Sequence, residues 1–318
     1  MKTDAKERKR TTTFEVTLPA STSNLGAGFD CFGLALQQYL TIRATVTPQA
    51  TVKCRVRTQG TKESSELPRT SENLIYRAMA YTARLEGVTL PPVHLAVKNQ
   101  IPLGRGFGSS AAAIAGGITL SSLICHREMS PEKLLEYATR FEGHPDNVAA
   151  ALFGGFVVTC LARDGSVLAV KRPWPAELKL IIVSPNFRVA TKLARDVFPR
   201  VVNRSDAVHN LQRSALFVAS LAEGHYELLW EAMRDRIHQE RRQSLVPGLT
   251  EVLALPRMPG LLGVALSGAG PSVVAVATDN FEAISETISD CFRRKKVGTT
   301  SQRLEVDTYG CRVAAVGE

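Results

Sequence analysis

The sequence predicts an α+β protein with two lobes and largely antiparallel sheets. Segments with strand periodicity and segments with helical periodicity alternate irregularly, and several predicted strands follow one another without a helix between them. A doubly wound parallel sheet needs a crossover helix after each strand, so this order argues against one. Pro173 and Pro175 mark a boundary between two parts of ordinary domain size, on the order of 150 residues each. We therefore predict an N-terminal domain over residues 11–172, a C-terminal domain over residues 173–318 and a disordered basic tail over residues 1–10.

Alternating apolar residues predict the strands of the N-terminal part. In TFEVTLPA, for example, Phe14, Val16 and Leu18 alternate with polar residues, which is the period of a half-buried strand. Apolar residues at helical spacing predict a helix over residues 71–87 and a buried small-residue helix over residues 109–126. The alternating pattern predicts further strands over YLTIRATVTP (39–48), TVKCRVRT (51–58) and VHLAVKNQIP (93–102).

Caps, turns and periodicity predict the remaining elements. Ser130 as N-cap and Pro131 at the first helical position predict a helix over residues 130–143. GGFVVTCL and VLAVKRP form a predicted hairpin around ARDGS, and ELKLIIVSP is a predicted buried strand. Two strands are predicted around the glycine turn of residues 260–278, and a last strand over CRVAAVGE. Further helices are predicted near residues 189–196, 206–223, 225–240 and 280–293.

The chain is basic, and its composition limits the classes of partner. The formal net charge is +9 and the pI is about 9.4, which favours anionic ligands. Basic residues cluster only in the N-terminal tail and in RRKK (293–296), and aromatic residues, 6% of the chain, do not interleave with them. A nucleic-acid surface needs such an interleaved stacking platform, so we expect no nucleic-acid partner.

The sequence also predicts a cytoplasmic protein without a membrane segment. No apolar run approaches the ~20 residues that a membrane-spanning helix needs, and the charged start of the chain lacks the apolar region of a secretory signal. The six cysteines lie far apart, with no C-x-x-C pair. That spacing predicts free thiols in a reducing compartment rather than disulfides or metal ligands.

The glycine-rich segment IPLGRGFGSSAAAIAGG (101–117) is a candidate anion-binding loop. Its glycines let backbone N–H groups approach a ligand, and the helix that follows turns its positive dipole end toward an anion. It is not a Walker A loop, because Ser109 stands where that motif has its lysine. Gly106, Gly108 and Ala111 fit a dinucleotide fingerprint, but the helix predicted after them leaves no second strand for the ribose-binding acid. Two interpretations remain. The segment is either a phosphate-binding loop of a different type, or a tight strand-to-helix turn whose glycines serve only packing.

Three more segments place polar or glycine-rich turns between buried elements. PASTSNLGAGFDCFGLAL (19–36) follows the first strand, EGHPDNVAAALFGGFV (142–157) opens another small-residue helix, and LSGAGPSVVAVA (266–277) turns between two apolar strands. EGHPDN packs a glutamate, a histidine, an aspartate and an asparagine into six residues. Four such turns in one chain favour a shared cleft over four unrelated tight turns.

Together these motifs resemble those of the GHMP superfamily, which comprises galactokinase, homoserine kinase, mevalonate kinase and phosphomevalonate kinase. PASTSNLGAGFD, PLGRGFGSSAA and LSGAGPS are similar to its three motifs and stand in the same order, spanning residues 19–272. Within the superfamily, EGHPDN, SPNFRVATKLAR and RIHQERRQSLVPG most resemble the homoserine kinases. The motifs are jointly specific and cover nearly the whole chain.

The resemblance implies a fold and a reaction. The implied fold has an N-terminal ribosomal-protein-like α/β lobe and a C-terminal ferredoxin-like lobe around a cleft. The implied enzyme uses ATP and Mg²⁺ to phosphorylate the side-chain hydroxyl of L-homoserine, a step of threonine biosynthesis, and a homodimer is compatible with it. The alternatives are a kinase acting on another small alcohol, such as L-threonine or an isoprenoid acid, and a non-catalytic nucleotide-binding member of the fold.

The resemblance also implies which residues bind ATP and magnesium. Ser110 and Glu142 would hold Mg²⁺ between the β- and γ-phosphates, and Asn73 would lie beside the adenine. The phosphate loop would comprise Pro102, Leu103, Gly104, Arg105, Gly106, Phe107, Gly108, Ser109, Ser110, Ala111 and Ala112. The turn that would close the phosphate site from the other lobe comprises Ser267, Gly268 and Gly270.

An amino-acid pocket follows from the same resemblance. Asp30 would pair with the substrate ammonium. Cationic and hydroxyl side chains would bind the substrate or its carboxylate, namely Thr191, Arg195 and Arg242. The T-x-x-x-R spacing puts Thr191 and Arg195 on one helical face. The other side chains of the implied pocket are Asn24, His144 and Asn147.

The predicted catalytic residues are Asp146 and two side chains of this pocket, Asn147 and Arg195. Asp146 stands where related kinases carry a catalytic aspartate, Asn147 would orient the hydroxyl, and Arg195 would hold the substrate. Phosphoryl transfer asks a protein mainly for positioning and charge neutralisation. We therefore expect orientation of the hydroxyl to dominate over removal of its proton by Asp146.

Overall fold

The computed structural model describes residues 12–199 and 201–316, and the predicted basic tail lies outside them. The strands of this part of the chain are β1 (Thr13–Asn24), β2 (Gly28–Val46), β3 (Cys54–Gly60), β4 (Val93–Asn99), β5 (Phe156–Leu161), β6 (Val167–Arg172), β7 (Lys179–Pro185), β8 (Leu261–Leu266), β9 (Val273–Ala277), β10 (Thr299–Leu304) and β11 (Arg312–Val316). Its α-helices are α1 (Leu74–Leu85), α2 (Ser109–Ile124), α3 (Pro131–Glu142), α4 (Asp146–Phe153), α5 (Thr191–Asp196), α6 (Arg204–Glu223), α7 (Leu229–Ala232), α8 (Gln239–Arg242), α9 (Leu249–Leu253) and α10 (Phe281–Arg293).

The strands form two sheets, which confirms the α+β prediction. One is seven-stranded, with β11, β1, β2, β4 and β3 in order and β5 and β6 attached to β2. The other is four-stranded, in the order β10, β7, β9 and β8. Among the strand pairs of the described residues, only β3 and β4 run parallel. Strand β2 spans both parts of the larger sheet, since residues 32–34 pair with β5 and residues 40–46 pair with β4.

The small-residue helix α2 is buried between the larger sheet and α1. A Cβ built on Gly117 would lie 2.4 Å from the carbonyl oxygen of Ile75, and one on Gly116 would lie 2.6 Å from Leu18 Cδ2. Both distances are shorter than a real Cβ contact, so the two glycines let the helix approach both neighbours closely. This packing fixes where the helix begins, and its first residues lie at the cleft.

The last strand returns to the first sheet. Strand β11 pairs with β1 from Thr13 opposite Val316 to Thr17 opposite Arg312. The buried carboxylate of Asp307 precedes it and accepts hydrogen bonds from the backbone N–H of Gly310 at 2.7 Å and from the Tyr39 hydroxyl at 3.0 Å. The predicted boundary near residue 173 therefore does not separate the sheets completely, because a C-terminal strand completes the N-terminal one.

Several elements differ from the sequence-based prediction, and three of them have a visible physical reason. Strand β2 begins at Gly28, whereas we predicted a strand only from residue 39, because its first half carries the polar motif. The single helix predicted over residues 225–240 is broken, since the Asp235 carboxylate accepts from the backbone N–H of His238 at 2.9 Å and of Gln239 at 2.7 Å and starts a new turn there. Strand β10 was not predicted, because TTSQRL has few apolar residues to signal an edge strand.

The helices and the cysteines can be compared with the predictions about membrane segments and disulfides. None of the helices within the described residues combines the length and apolarity that crossing a bilayer requires. All six cysteines are free thiols. Burial raises the pKa of the Cys54 thiol to about 12 and that of Cys311 to about 11, so both thiols stay protonated and unreactive at neutral pH.

Candidate functional site

A cleft between the two sheets collects most of the residues that the sequence singled out. Its walls come from the β1–β2 turn, the glycine-rich loop before α2, the α3–α4 junction, α5, α8 and the β8–β9 turn. The lining residues are Ser23, Asn24, Phe29, Asp30, Pro102, Gly104, Gly106, Phe107, Gly108, Ser109, Ser110, Glu142, His144, Asp146, Asn147, Val189, Arg195, Arg242, Gly268, Ala269 and Gly270.

The glycine-rich loop needs glycine at its alternate positions. Gly104, Gly106 and Gly108 have φ values of 65°, 82° and 63°, which side-chain-bearing residues rarely adopt. A Cβ on Gly106 would also lie 2.2 Å from the carbonyl oxygen of Ser267, and one on Gly108 would lie 2.0 Å from Ser21 Oγ. The loop is thus pressed against the opposite turn on one side and against β1 on the other.

Helix α2 presents its N-terminus to the cleft without a side-chain cap. Its N-cap residue is Gly108, which has no side chain to offer, and its first residues, Ser109 and Ser110, line the cleft. The first N–H groups of a helix have no partner within the helix, and they carry the positive end of its dipole. This end of the cleft is therefore suited to an anion.

A hydroxyl and a carboxylate meet beside this helix terminus. Ser110 Oγ donates a hydrogen bond to Glu142 Oε1 at 2.5 Å, joining the start of α2 to the end of α3. Gly143, with φ of 97°, ends α3 and turns the chain into EGHPDN. Oxygen atoms of these two types are the ligands that Mg²⁺ prefers, so the pair fits a magnesium site.

A buried histidine–aspartate pair lies next to that site. His144 Nδ1 and Asp146 Oδ1 are 2.5 Å apart, and the same carboxylate oxygen accepts from the backbone N–H of Asn147 at 2.7 Å. Burial by itself raises the pKa of the Asp146 carboxyl, but the hydrogen bond and charge of His144 outweigh it, and the pKa falls below its ordinary value. For His144 burial lowers the pKa, and Asp146 reverses this and raises it. The aspartate is therefore ionised, and its Oδ1 atom is held by His144 and Asn147.

Two serines of β1 hold the side chain of Asn147 from both ends. Ser21 Oγ donates to Asn147 Oδ1 at 2.8 Å, and Asn147 Nδ2 donates to Ser23 Oγ at 2.8 Å. Both serines belong to the motif PASTSN, which the sequence analysis quoted without assigning them a role. Their alternation along a strand, facing a predicted polar residue, was the signal that could have identified them.

An acidic and a basic side chain pair across the other end of the cleft. Arg195 on α5 donates to both carboxylate oxygens of Asp30, with Nη2 2.6 Å from Oδ1 and Nη1 3.2 Å from Oδ2. Asn24 Oδ1 fixes Asp30 by accepting from its backbone N–H at 3.1 Å. Asn24 and Asp30 both have positive φ values, 71° and 54°, so the turn is built to present them.

Arg242 is the most deeply buried cation of the cleft, with 2% of its surface exposed. Its Nε donates to the carbonyl oxygen of Ala194 at 3.1 Å, and its Nη1 donates to that of Gly268 at 2.9 Å. Its guanidinium carbon lies 4.7 Å from the centre of the Phe198 ring. Burial lowers the pKa of Arg242 to about 10, so the side chain remains charged at neutral pH.

Several other predicted residues lie around the cleft rather than on its lining. Ser267 Oγ bonds the carbonyl oxygen of Gly106 at 2.6 Å, so it joins the two glycine turns. Asn73 is the N-cap of α1, accepting from the N–H of Ile75 at 3.0 Å and donating to Pro68 at 2.8 Å, and its adenine role stays a prediction. Arg105 Nη1 donates to the carbonyl oxygen of Pro185 at 3.2 Å. The others outside the lining are Leu103, Ala111 and Ala112. Thr191 is the first residue of α5, and its substrate-binding role stays a prediction.

Family models and curated relatives match most of the chain. The model of the GHMP kinases N terminal domain matches residues 73–155, and the model described as GHMP kinases C terminal matches residues 217–293. A homoserine kinase of Solibacter usitatus is 41% identical over 280 residues, which cover 88% of this chain and 90% of that protein. A homoserine kinase of Deinococcus radiodurans is 45% identical over 261 residues, covering 82% and 83%.

Solved structures share the architecture. A homoserine kinase from Cytophaga hutchinsonii superposes with a TM-score of 0.82 at 27% identity, covering 95% of this chain and 98% of that chain. A mevalonate diphosphate decarboxylase from Staphylococcus aureus has a TM-score of 0.65 at 14% identity, covering 96% and 99%. The second likeness concerns the fold alone. The predicted two-lobed GHMP kinase fold is confirmed.

We predict that Gly106→Ala destabilises the protein more than Gly165→Ala. Both glycines have φ of 82°, but a Cβ on Gly165 would have no atom within 4 Å, whereas one on Gly106 would meet Ser267. Gly165→Ala should cost about 1–2 kcal/mol of unfolding free energy for its left-handed backbone. Gly106→Ala should cost about 1–3 kcal/mol more, because the two turns must separate. Urea unfolding of the two variants measures the difference, and equal losses would show that the turns do not pack as described.

Proposed function

The chain belongs to the homoserine kinases of the GHMP kinase family, and we propose that it transfers the γ-phosphoryl group of ATP to the side-chain hydroxyl of L-homoserine. The observation that carries the proposal is the charge arrangement of one cleft. The open N-terminus of α2 lies at one end, and the Asp30–Arg195 ion pair lies at the other. The first suits phosphates, and the second suits a zwitterion, whose ammonium pairs with Asp30 and whose carboxylate pairs with Arg195.

Exchange of partners explains how a free amino acid is recognised. Without substrate the carboxylate of Asp30 and the guanidinium of Arg195 neutralise each other, and each is about one-third exposed, at 34%. An amino acid offers the same two charges in reverse, so it replaces one ion pair with two. A ligand that lacks either charge leaves a partner uncompensated, which selects strongly against it.

The nucleotide end uses backbone groups and two oxygen ligands. The N–H groups at the start of α2 and the loop of residues 102–108 bind the phosphates, whose negative charge the helix dipole favours. Ser110 and Glu142 would hold an Mg²⁺ ion, which would neutralise phosphate charge when bound. Arg105 lies behind the loop, bonded to Pro185, and stiffens it from the C-terminal sheet.

Positioning of the hydroxyl is the main contribution that we assign to the protein. Asn147 is held by Ser21 and Ser23, so its amide orients rather than ionises. The Oδ1 atom of Asp146 holds His144 and the N–H of Asn147, and the lowered pKa of this carboxylate makes it a poor base. Holding two reactants in line is worth roughly 7–11 kcal/mol of the barrier, which is enough to dominate.

We predict that Glu142→Gln lowers turnover by at least about a hundredfold, because removing one preorganised charge interaction from a phosphoryl-transfer site costs on that order. Release of ADP with homoserine and saturating Mg²⁺ measures the loss, and a higher Mg²⁺ concentration should recover part of it. Glu132→Gln, at the exposed first turn of the same helix, is the matched control. Equal activities of the two variants would refute the metal assignment.

We predict that Asp146→Asn lowers turnover by less than about 10³-fold, since a loss above that range would indicate general-base catalysis. The measurement is the steady-state rate of ADP release at saturating ATP and homoserine. Asp164→Asn, in the exposed β5–β6 turn, serves as control. A loss larger than this limit in a folded variant would mean that Asp146 takes the proton.

We predict that Arg195→Ala raises the KM for homoserine by about 100-fold or more while the KM for ATP changes little. The variant loses a charge-assisted partner of the carboxylate, and such interactions are worth several kcal/mol when buried. Lys192→Ala, on the same short helix, is the control. If both KM values rise equally, Arg195 does not read the amino acid. A panel of other hydroxy compounds in the same assay tests the choice of substrate.

A further inference from the structure

The stretch RIHQERRQSLVPG contains a buried histidine to which the proposed reaction gives no role. His238 has 0% of its surface exposed and lies directly before α8. Its Nε2 is 2.8 Å from the carbonyl oxygen of Gly26, and its Nδ1 is 3.0 Å from Nη1 of Arg242. A carbonyl can only accept and a guanidinium can only donate. The proton of this imidazole is therefore on Nε2, and Nδ1 accepts from Arg242.

These bonds are part of a closed hydrogen-bond network that joins both sides of the amino-acid pocket. Arg242 Nη1 donates to the carbonyl oxygen of Gly268 at 2.9 Å, and Asn24 Nδ2 donates to the same oxygen at 3.2 Å. Asn24 and Gly26 belong to one tight turn, between β1 and β2. Hydrogen bonds therefore connect Gly26 to His238, His238 to Arg242, Arg242 to Gly268 and Gly268 to Asn24. Asn24 lies two residues before Gly26, so the chain of bonds is closed.

The imidazole is fixed on its faces and at its backbone as well. The Phe29 ring stacks on it with centroids 5.1 Å apart and planes 21° apart. The Asp235 carboxylate accepts from the backbone N–H of His238 at 2.9 Å. Burial lowers the pKa of His238, so the ring is neutral at neutral pH, as its two partners require. A ring held in this way has one orientation and one tautomer.

We propose that His238 is a positioning residue for the amino-acid substrate: its imidazole sets the distance between Arg242 and the β1–β2 junction, on whose two sides Asn24 and Asp30 lie. The inference rests on the proposed function, because these groups surround the zwitterion that the Asp30–Arg195 pair selects. His238 is not on the lining of the cleft, so it acts through Arg242 and Gly26. We expect its loss to alter the spacing of the substrate's charges more than the phosphate loop, because its ring bonds Gly26 and Arg242 and not residues 102–108.

Two substitutions separate the two bonds of the imidazole. His238→Asn places an amide oxygen near the position of Nδ1 and keeps an acceptor for Arg242. His238→Gln places an amide nitrogen near the position of Nε2 and keeps the donor to Gly26, but it removes the acceptor. A hydrogen bond to a charged group is worth about 1.5–3 kcal/mol, so His238→Gln should raise the KM for homoserine about 10- to 100-fold.

The assay is ADP release, with both KM values measured for each variant and for His94→Gln, an exposed-histidine control on β4. The proposal predicts a rise in the homoserine KM for His238→Gln, a smaller rise for His238→Asn and an ATP KM that stays within about twofold. Equal rises for the two variants, or parallel rises for ATP and homoserine, would reduce His238 to a structural residue and overturn the proposal. If the wild type releases no ADP with homoserine, the proposed function itself fails.

A second measurement needs no active variant. In wild-type protein labelled with ¹⁵N-histidine, the chemical shifts of the two ring nitrogens report which one carries a proton, and the His238 signals are those that His238→Asn removes. The proposal predicts a protonated Nε2 and a bare Nδ1 at neutral pH. A proton on Nδ1, or a charged ring, would contradict it whether or not the substituted proteins are active.

Discussion

The contact between two glycine turns, residues 102–108 and 267–271, is the constraint on which the rest of the site depends. One turn precedes α2 and the other joins the strands β8 and β9 of the second sheet. The backbones approach so closely at Gly106 that a methyl group would overlap Ser267, and the Ser267 hydroxyl bonds the carbonyl oxygen of Gly106 at 2.6 Å. This contact brings a helix terminus that attracts anions within one cleft of the cations on α5 and α8.

The polar groups of the cleft are satisfied in pairs before any ligand binds. Arg195 pairs with Asp30, Glu142 with Ser110, and His144 with Asp146. Each pair keeps a charge or a strong acceptor at low energetic cost in a partly buried site, since a lone buried charge is expensive. The first two pairs are also the ones that ligands would exchange. Binding then replaces one set of favourable interactions by another, and complementarity rather than attraction alone determines the specificity.

Much of this could be predicted from the sequence, and the exceptions have physical reasons. The periodicity of the apolar residues predicted most of the strands and helices, and the motif around Ser110 predicted the helix terminus at the cleft. Both are local patterns in the sequence. The helix break at Asp235 and the edge strand β10 were not predicted, because neither a side-chain cap nor a polar edge strand produces a periodic pattern of apolar residues. The serines that hold Asn147, and the bond of His238 to the carbonyl oxygen of Gly26, depend on segments far apart in the chain. Such contacts form only once distant parts of the chain have packed together.

The most direct test is a crystal structure with Mg²⁺, a non-hydrolysable ATP analogue and L-homoserine. We expect the terminal phosphates at the N–H groups of Ser109 and Ser110, with the metal on Ser110 and Glu142. The amino acid should have separated Asp30 from Arg195, its ammonium on the first and its carboxylate on the second. Phosphates bound away from α2, or an Asp30–Arg195 pair left intact beside bound homoserine, would contradict the account.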